Sequence, residues 1–365
     1  MQLEAIASDA YLRSPHFPPR ERAAVLWAEH VAKNTAYERD DVFDEVRRHF
    51  NDAELVELTG VCGYFAINNR FQDSLHLPLE EAGEVDKIRQ SVRGDPQRLK
   101  AFLETILRDW PAGPPPHDRT RVAPGAVSQA QARVAATAAG KSRDAALQCR
   151  VALDAGEADP TARGFLAAAA ALQGAPSNAA RVWAHVPHLG KMFLPYHWNI
   201  DRAGSGALPA RLKTLALLRT SYANVSPYWI AHYRALASAA GVSADELEAL
   251  GRRDDPAGWT AAERAVLDWT DAVAATTAKR DPRAFANLAA HFDAAEIAEL
   301  TGVCATANMA TLVYNALRVP VEASSAVAAM NRSAEVEPDR VRHYLEWVLA
   351  EWPAEFPAPD ATLVR

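Results

Sequence analysis

His291 to Glu322 reads HFDAAEIAELTGVCATANMATLVYNALRVPVE. Asp293 stands three residues before Glu296, the spacing at which a capping oxygen and a carboxylate satisfy the free amides of a first helical turn. From Glu296 to Leu317 apolar residues then recur at steps of three and four, the period of a helix with a buried face. The same start signal precedes apolar runs at Thr260-x-x-Glu263 and Ser243-x-x-Glu246, and no sustained strand alternation is found. An all-α fold built of helical bundles is expected.

The quoted stretch also has a partner. His49 to Glu80 reads HFNDAELVELTGVCGYFAINNRFQDSLHLPLE, at an offset of 291 − 49 = 242, with 13 identities in 32 ungapped positions; ordinary composition would give roughly two or three by chance. The register continues outward without a gap. Phe17 faces Trp259, Trp27 faces Trp269, and Trp110-Pro111-Ala112 faces Trp352-Pro353-Ala354. A repeating unit of about 242 residues in a chain of 365 leaves one full unit and the C-terminal half of another. The expected organisation is a partial copy over 1–112, a Pro-rich linker over 113–125 (GPPP at 113–116, Pro124-Gly125), and a full unit over 126–365 with extra Ala-rich N-terminal helices, one from the Val130s to Gly156 and one from Ala162 to Gly174.

Composition bounds the partners. With 39 Lys and Arg against 46 Asp and Glu the formal charge is −7, which argues against a nucleic-acid groove or an anionic membrane surface as partner. No run of about 18 apolar residues is present, and Met1 to Tyr11 has no leader-like apolar core. A cytoplasmic location is the expectation. Cys62, Cys149 and Cys304 are far apart and form no Cys-x-x-Cys pair, so neither a disulfide framework nor a metal cluster is expected. His185, His188 and His197 lack the helical i, i+4 spacing of zinc enzymes.

Chemistry concentrates in Leu208 to Leu250, LPARLKTLALLRTSYANVSPYWIAHYRALASAAGVSADELEAL. A helix over Pro209 to Tyr222 is expected to break at Asn224-Val225-Ser226. A second then runs from Pro227 to Ala240, with Ser226 as N-cap and Gly241 as its stop. On that second helix Tyr228 and His232 share one face, and Ser226, Trp229 and Tyr233 follow a neighbouring one. His232 is the candidate general acid/base, with Tyr228 as hydrogen-bond donor to a carbonyl or enolate. The alternative for this pair is mutual satisfaction in a helical core. Ser226 is a nucleophile only beside a base, and otherwise a cap. Arg219 is either a bidentate carboxylate clamp or half of a structural ion pair.

These segments, in their order, resemble the carboxymuconolactone decarboxylase and alkylhydroperoxidase D-like superfamily. The likeness covers about residues 180 to 325, and residues 17 to 80 as a tail-end fragment. Hydroperoxidase members carry a Glu on the first helix and Cys-x-x-Cys-x-x-x-His at the start of the second; those positions here are Thr214, Ser226, Trp229 and Tyr233. Serine cannot pass through sulfenate and disulfide states, so thiol peroxidase activity is expected to be absent. Decarboxylase-like members carry something close to C-E-Y-E-W-A-H-H. Here SPYWIAHY keeps Tyr228, Ala231 and His232 and has Trp229 and Tyr233 in place of the second Glu and the last His.

The resemblance implies a homo-oligomer and a cofactor-independent lyase, isomerase or hydrolase without a metal, acting on a small acidic or carbonyl-bearing molecule. His232, Tyr228, Tyr233 and Ser226 are its catalytic candidates, and Arg219, Trp229, Thr214 and His197 its substrate-binding ones. A non-catalytic helical scaffold or binding module derived from such an enzyme is the alternative.

Overall fold

In the computed structural model the described residues are 2–81, 83–84, 94–110, 147–154, 159–204, 206–252 and 258–356. They contain helices and no strand. An isolated bridge between Ala203 and Glu335 is the single β-type pairing among them.

The helices run α1 (Gln2–Ile6), α2 (Pro19–Ala32), α3 (Asp40–Arg47), α4 (Asp52–Ser74) and α5 (Pro96–Arg108). From residue 160 onward come α6 (Pro160–Gln173), α7 (Asn178–Trp183), α8 (Pro187–Ile200), α9 (Ala210–Ala223), α10 (Pro227–Ala239) and α11 (Ala244–Arg252). The chain then continues through α12 (Ala261–Ala274), α13 (Pro282–Ala289), α14 (Ala294–Leu317), α15 (Ser324–Met330) and α16 (Pro338–Ala350).

The start signals act as read. Asn51 with Glu54, Thr260 with Glu263, and Asp293 with Glu296 form reciprocal capping boxes, and Ser243 and Glu246 exchange the same two bonds. The 242-residue register is visible in the coordinates as well as in the letters. The bounds of α2 and α12 differ by that interval at both ends, as do those of α5 and α16. The left-handed residues Asn34 (φ 56°) and Thr276 (φ 57°) end corresponding helices, and so do His76 (φ 50°) and Arg318 (φ 53°). In each region a fully buried Trp donates to a buried Thr hydroxyl, Trp27 to Thr59 at 2.9 Å and Trp269 to Thr301 at 3.0 Å.

The two longest helices, α4 and α14, pack directly on each other. They approach so closely that a Cβ on Gly63 would lie 2.6 Å from Val313 Cγ2 and 2.9 Å from Met309 Cγ. Every residue of α14 from Val303 to Leu317 is buried, making it the central strut of the core.

The Pro-rich stretch 113–125 and most of the Ala-rich run before Gly156 lie outside the described residues. Where that run is described, at 147–154, it is not the helix expected. Arg150 explains the difference. Its backbone N–H donates to Leu317 O (3.0 Å), and its buried guanidinium donates to Ala36 O (2.7 Å) and Ala316 O (3.0 Å). The bonds to Leu317 O and Ala316 O satisfy carbonyls left over at the C-terminus of α14, the bond to Ala36 O ties the segment to the turn after α2, and a helix at 150 could not give its backbone N–H to Leu317 O.

Candidate functional site

The site is built on the hairpin of α9 and α10. Helix α9 stops at Ala223, Val225 takes a left-handed conformation (φ 49°), and Pro227 opens α10. Asn224 fixes the turn to the central strut, its Nδ2 donating to Asn308 Oδ1 (2.9 Å) and Thr311 Oγ1 (2.7 Å). Ser226 occupies the N-cap, and its carbonyl accepts from Ile230 N at 2.8 Å. Its side chain makes no capping bond; Oγ is buried and without a hydrogen-bond partner. The expected side-chain cap is therefore not made; the bond from Ile230 is the helix's own first i to i+4 bond.

Tyr228 and His232 stack at 4.5 Å between ring centroids and converge on one carboxylate. Tyr228 OH donates to Glu322 Oε1 (2.9 Å) and His232 Nε2 lies 2.8 Å from Glu322 Oε2. The backbone N–H of Asn178 also donates to Glu322 Oε1. On the far side of the imidazole, Asn331 Nδ2 sits 3.1 Å from Nδ1 and donates to Val327 O at 2.9 Å. An amide NH2 facing Nδ1 assigns that nitrogen as acceptor, so the proton of a neutral ring resides on Nε2 and points at Glu322. Burial pushes the Glu322 carboxyl up, but the hydrogen bond and charge of His232 and the backbone amide of Asn178 outweigh it and hold it below the usual carboxylate range. For Tyr228, burial and then the neighbouring Glu322 charge push the phenol well above its ordinary value, so it acts as a donor.

A second polar cluster lies across Trp229. Tyr233 OH donates to Asp201 Oδ2 (3.1 Å), and His197 Nε2 is 3.4 Å from both that phenol and Asp201 Oδ2. Trp229 is stacked on Tyr233 (4.7 Å) and on Tyr314 (5.2 Å), with His197 edge-on to it at 4.9 Å. Burial holds the His197 imidazole below its ordinary value against the pull of Asp201, and burial followed by Asp201 pushes the Tyr233 phenol well up. Tyr228, His232 and Asn331 of the first cluster and the whole of the second, with Trp198, Arg202 and Trp183, wall one cavity of about 40 Å³, room for roughly three waters.

Five of the eight residues singled out in the sequence line this cavity: His232, Tyr228, Tyr233, Trp229 and His197. Three do not. Ser226 faces inward elsewhere. Thr214 is fully buried on α9 and donates to Arg211 O (3.0 Å), one turn back. Arg219 clamps Asp271 bidentately at 2.7 and 2.6 Å and donates to Leu250 O, joining α9 to α12 and α11. Of the two roles open to Arg219 the geometry is that of the structural ion pair.

His185 is spent on Ala152 O (2.7 Å) and His188 packs on Phe356, apart from His197. Among the described residues no group of three or more His, Cys, Asp or Glu has metal-binding geometry, and no helix is long and apolar enough to cross a membrane. Sequence reading missed Glu322, Asn331, Asp201 and Arg202. Asp201 had a signal, being four residues after His197 on one helical face; Glu322 is 90 residues from His232 and had none.

Residues 187–272, from the start of α8 into α12, match the model of the Carboxymuconolactone decarboxylase family. No curated protein and no solved structure matches the chain. The matched segment, under a quarter of the chain, contains the α9–α10 hairpin and both polar clusters except Asn178, Glu322 and Asn331, so the likeness to that family lies in the part of the chain that carries the candidate site.

Proposed function

We propose that this protein is a carboxymuconolactone decarboxylase-like enzyme that moves protons without a thiol relay and without a cofactor, on a small acidic or carbonyl-bearing compound. The observation that carries the reading is the pair His232 and Tyr228, both on the wall of the cavity, sharing the buried carboxylate of Glu322 at 2.8 and 2.9 Å. His232 accepts a proton at Nδ1 when a substrate donor takes the place of the Asn331 amide. Glu322 keeps the Nε2 proton and stabilises the imidazolium, and so acts as a positioning residue. Tyr228 carries a proton at neutral pH.

The cysteines support the absence of peroxidase chemistry. Burial pushes the Cys304 thiol up to about 12 and the Cys62 thiol up to about 11, and raises that of Cys149, all away from the reactive thiolate. We further read the 242-residue register as a tandem duplication, one full unit preceded by the C-terminal half of another, acting in the cytoplasm as a homo-oligomer.

The test is turnover of a panel of small lactones, hydroxy acids and keto acids followed by NMR on the full chain. Loss of the base in His232→Ala lowers kcat/KM by about 100-fold or more. A His232→Ala protein that turns over every accepted compound at the original rate removes the assignment. Organic hydroperoxide with a dithiol reductant remains unconsumed. A second reading, a binding module or scaffold that performs no chemistry, is favoured by the small size of the cavity; it takes over if no compound reacts and His232→Ala changes only stability.

A further inference from the structure

We propose that the outward face of α4 is a two-fold contact on which a second copy of this chain docks, the two α4 helices lying antiparallel across Tyr64 and Phe65. The inference gives the homo-oligomer of the reading above its contact face, and rests on that reading only for the identity of the partner.

The 242-residue register shows what this face lacks. Along α14 the stripe Glu299, Val303, Thr306, Ala307, Ala310 and Tyr314, stepped by three and four, carries the layer that holds the candidate site. Glu299 accepts from the Ala207 and Leu208 N–H groups at 2.6 and 2.9 Å and pairs with the Lys213 ammonium at 2.6 Å. Thr306 is bonded to Tyr196 OH at 2.9 Å, and Tyr314 stacks on Trp229. The matching stripe on α4 is Glu57, Val61, Tyr64, Phe65, Asn68 and Gln72. Among the described residues no such layer covers it, and Glu57, Val61, Tyr64, Phe65 and Gln72 are exposed. A helix seated like α8 is not the cover that fits. The small Thr306 and Ala307 let α8 come close to α14, whereas two aromatic rings fill that space on α4.

Area and charge point to a second copy. Tyr64 and Phe65 stand edge-on at 6.0 Å, and Leu77 and Leu79, just beyond the end of α4, are 48% and 94% exposed. With Val61 these side chains leave on the order of 500 Å² of apolar surface open, a size that marks an interaction site. Adding the polar ends of the stripe brings the face near the roughly 800 Å² per partner of a standard interface. Those ends make it self-complementary. Glu57 and Gln72 lie equally far on either side of the Tyr64–Phe65 pair, as do Val61 and Asn68. Antiparallel packing therefore brings Glu57 to Gln72 of the partner subunit, an acceptor to a donor, with the aromatic pairs on each other at the centre. Parallel packing would set two Glu57 carboxylates together. The neighbouring acids Glu54 and Asp73 are already paired, with Arg20 at 2.8 Å and Lys279 at 2.6 Å. A patch that meets its own copy closes as a two-fold dimer.

Sedimentation equilibrium of the full-length chain tests this. At micromolar concentration the particle has twice the 39.6 kDa of one chain. Phe65→Glu, a change at an exposed position that leaves the circular dichroism spectrum in place, weakens the dimer about 30-fold or more, the effect of losing a central aromatic anchor. Gln72→Arg, set against Glu57 of the partner subunit, tightens it about threefold or more, and Gln72→Glu loosens it to a like extent. A chain that stays monomeric up to millimolar concentration removes this inference and the homo-oligomer together. An oligomer that Phe65→Glu leaves intact is joined through another face and sinks this inference alone. Gln72→Arg binding no tighter than Gln72→Glu overturns the antiparallel pairing. The acid–base reading of His232 is untouched by each of these results, since no α4 residue lines its cavity.

Discussion

The regions 17–80 and 259–322 are built alike and used differently. Each sets a buried Trp-to-Thr bond, a left-handed helix end and a capping box before its long helix at matching positions. In the second region the long helix α14 is covered on all sides by α4, α8, α9 and α10, and Val303, Thr306 and Ala307 are fully buried. In the first, the matching residues Val61, Tyr64 and Phe65 of α4 are 47%, 59% and 57% exposed. The matching glutamates a few residues beyond each long helix tell the same story. Glu80 is exposed, whereas Glu322 is buried and holds His232 and Tyr228. A shared helical frame therefore does not make a site; the site arises where α8 to α10 are packed against that frame.

The largest expected break in this comparison is at the matching glutamates. Glu322→Ala leaves the Asn178 N–H, the Tyr228 hydroxyl and the His232 ring without their shared acceptor in a buried place, and costs about 3 kcal/mol or more in urea unfolding. Glu80→Ala stays within about 0.5 kcal/mol. Equal effects would dissolve the distinction.

Acid sharpens the same pair. Because the Glu322 carboxyl is held below its unfolded value, its contribution is full above about pH 4.5 and is lost as pH falls through the lower folded value. His197 adds an acid penalty of its own. Its folded value is depressed, so stability declines as pH falls below the unfolded 6.5. Thermal melting from pH 7 to pH 4 then shows a shallower loss in Glu322→Gln than in the parent below pH 4.5, and a shallower loss in His197→Gln already below pH 6.5.

Next in size is the contact between the two long helices. Gly63→Ala puts a methyl 2.6 Å from Val313 Cγ2 and costs about 1–3 kcal/mol despite the better helix propensity of alanine. The matching position is already Ala305, where the reverse change to glycine costs about 1 kcal/mol. A stabilising Gly63→Ala would mean that α4 and α14 do not approach as described.

The Trp-to-Thr bonds are expected to respond alike. Trp27→Phe and Trp269→Phe each remove one buried hydrogen bond and some ring volume, for about 1–2 kcal/mol apiece, because Thr59 and Thr301 keep their bonds to Leu55 O and Ile297 O. Costs that differ by much more than that range would show that the two frames are not mechanically equivalent. Smallest of all, Tyr64→Ser on the exposed face of α4 changes the unfolding free energy of the dilute, separated chain by less than about 0.5 kcal/mol.

The local code was legible because it is local. Capping boxes, proline at a helix start, and glycine at its end act over three or four residues, so all-α structure and the α9–α10 break at Asn224-Val225-Ser226 could be read from letters alone. The i, i+4 relation of Tyr228 to His232 followed from helix geometry in the same way. What the letters could not supply was which free polar group meets which. Arg219 and Arg202 are both arginines near the hairpin; one is tied to Asp271 and the other faces the cavity, and only the packing of α8 against α10 separates them.

The helical class, the register of 242 residues and the loss of the sulfur relay were thus determined by sequence, since each rests on short-range spacing or residue identity. The partner of His232, the cavity beside it and the idle role of Ser226 were decided by tertiary structure. Burial and long-range convergence are properties of surfaces brought together across 90 residues or more, and no single segment encodes them.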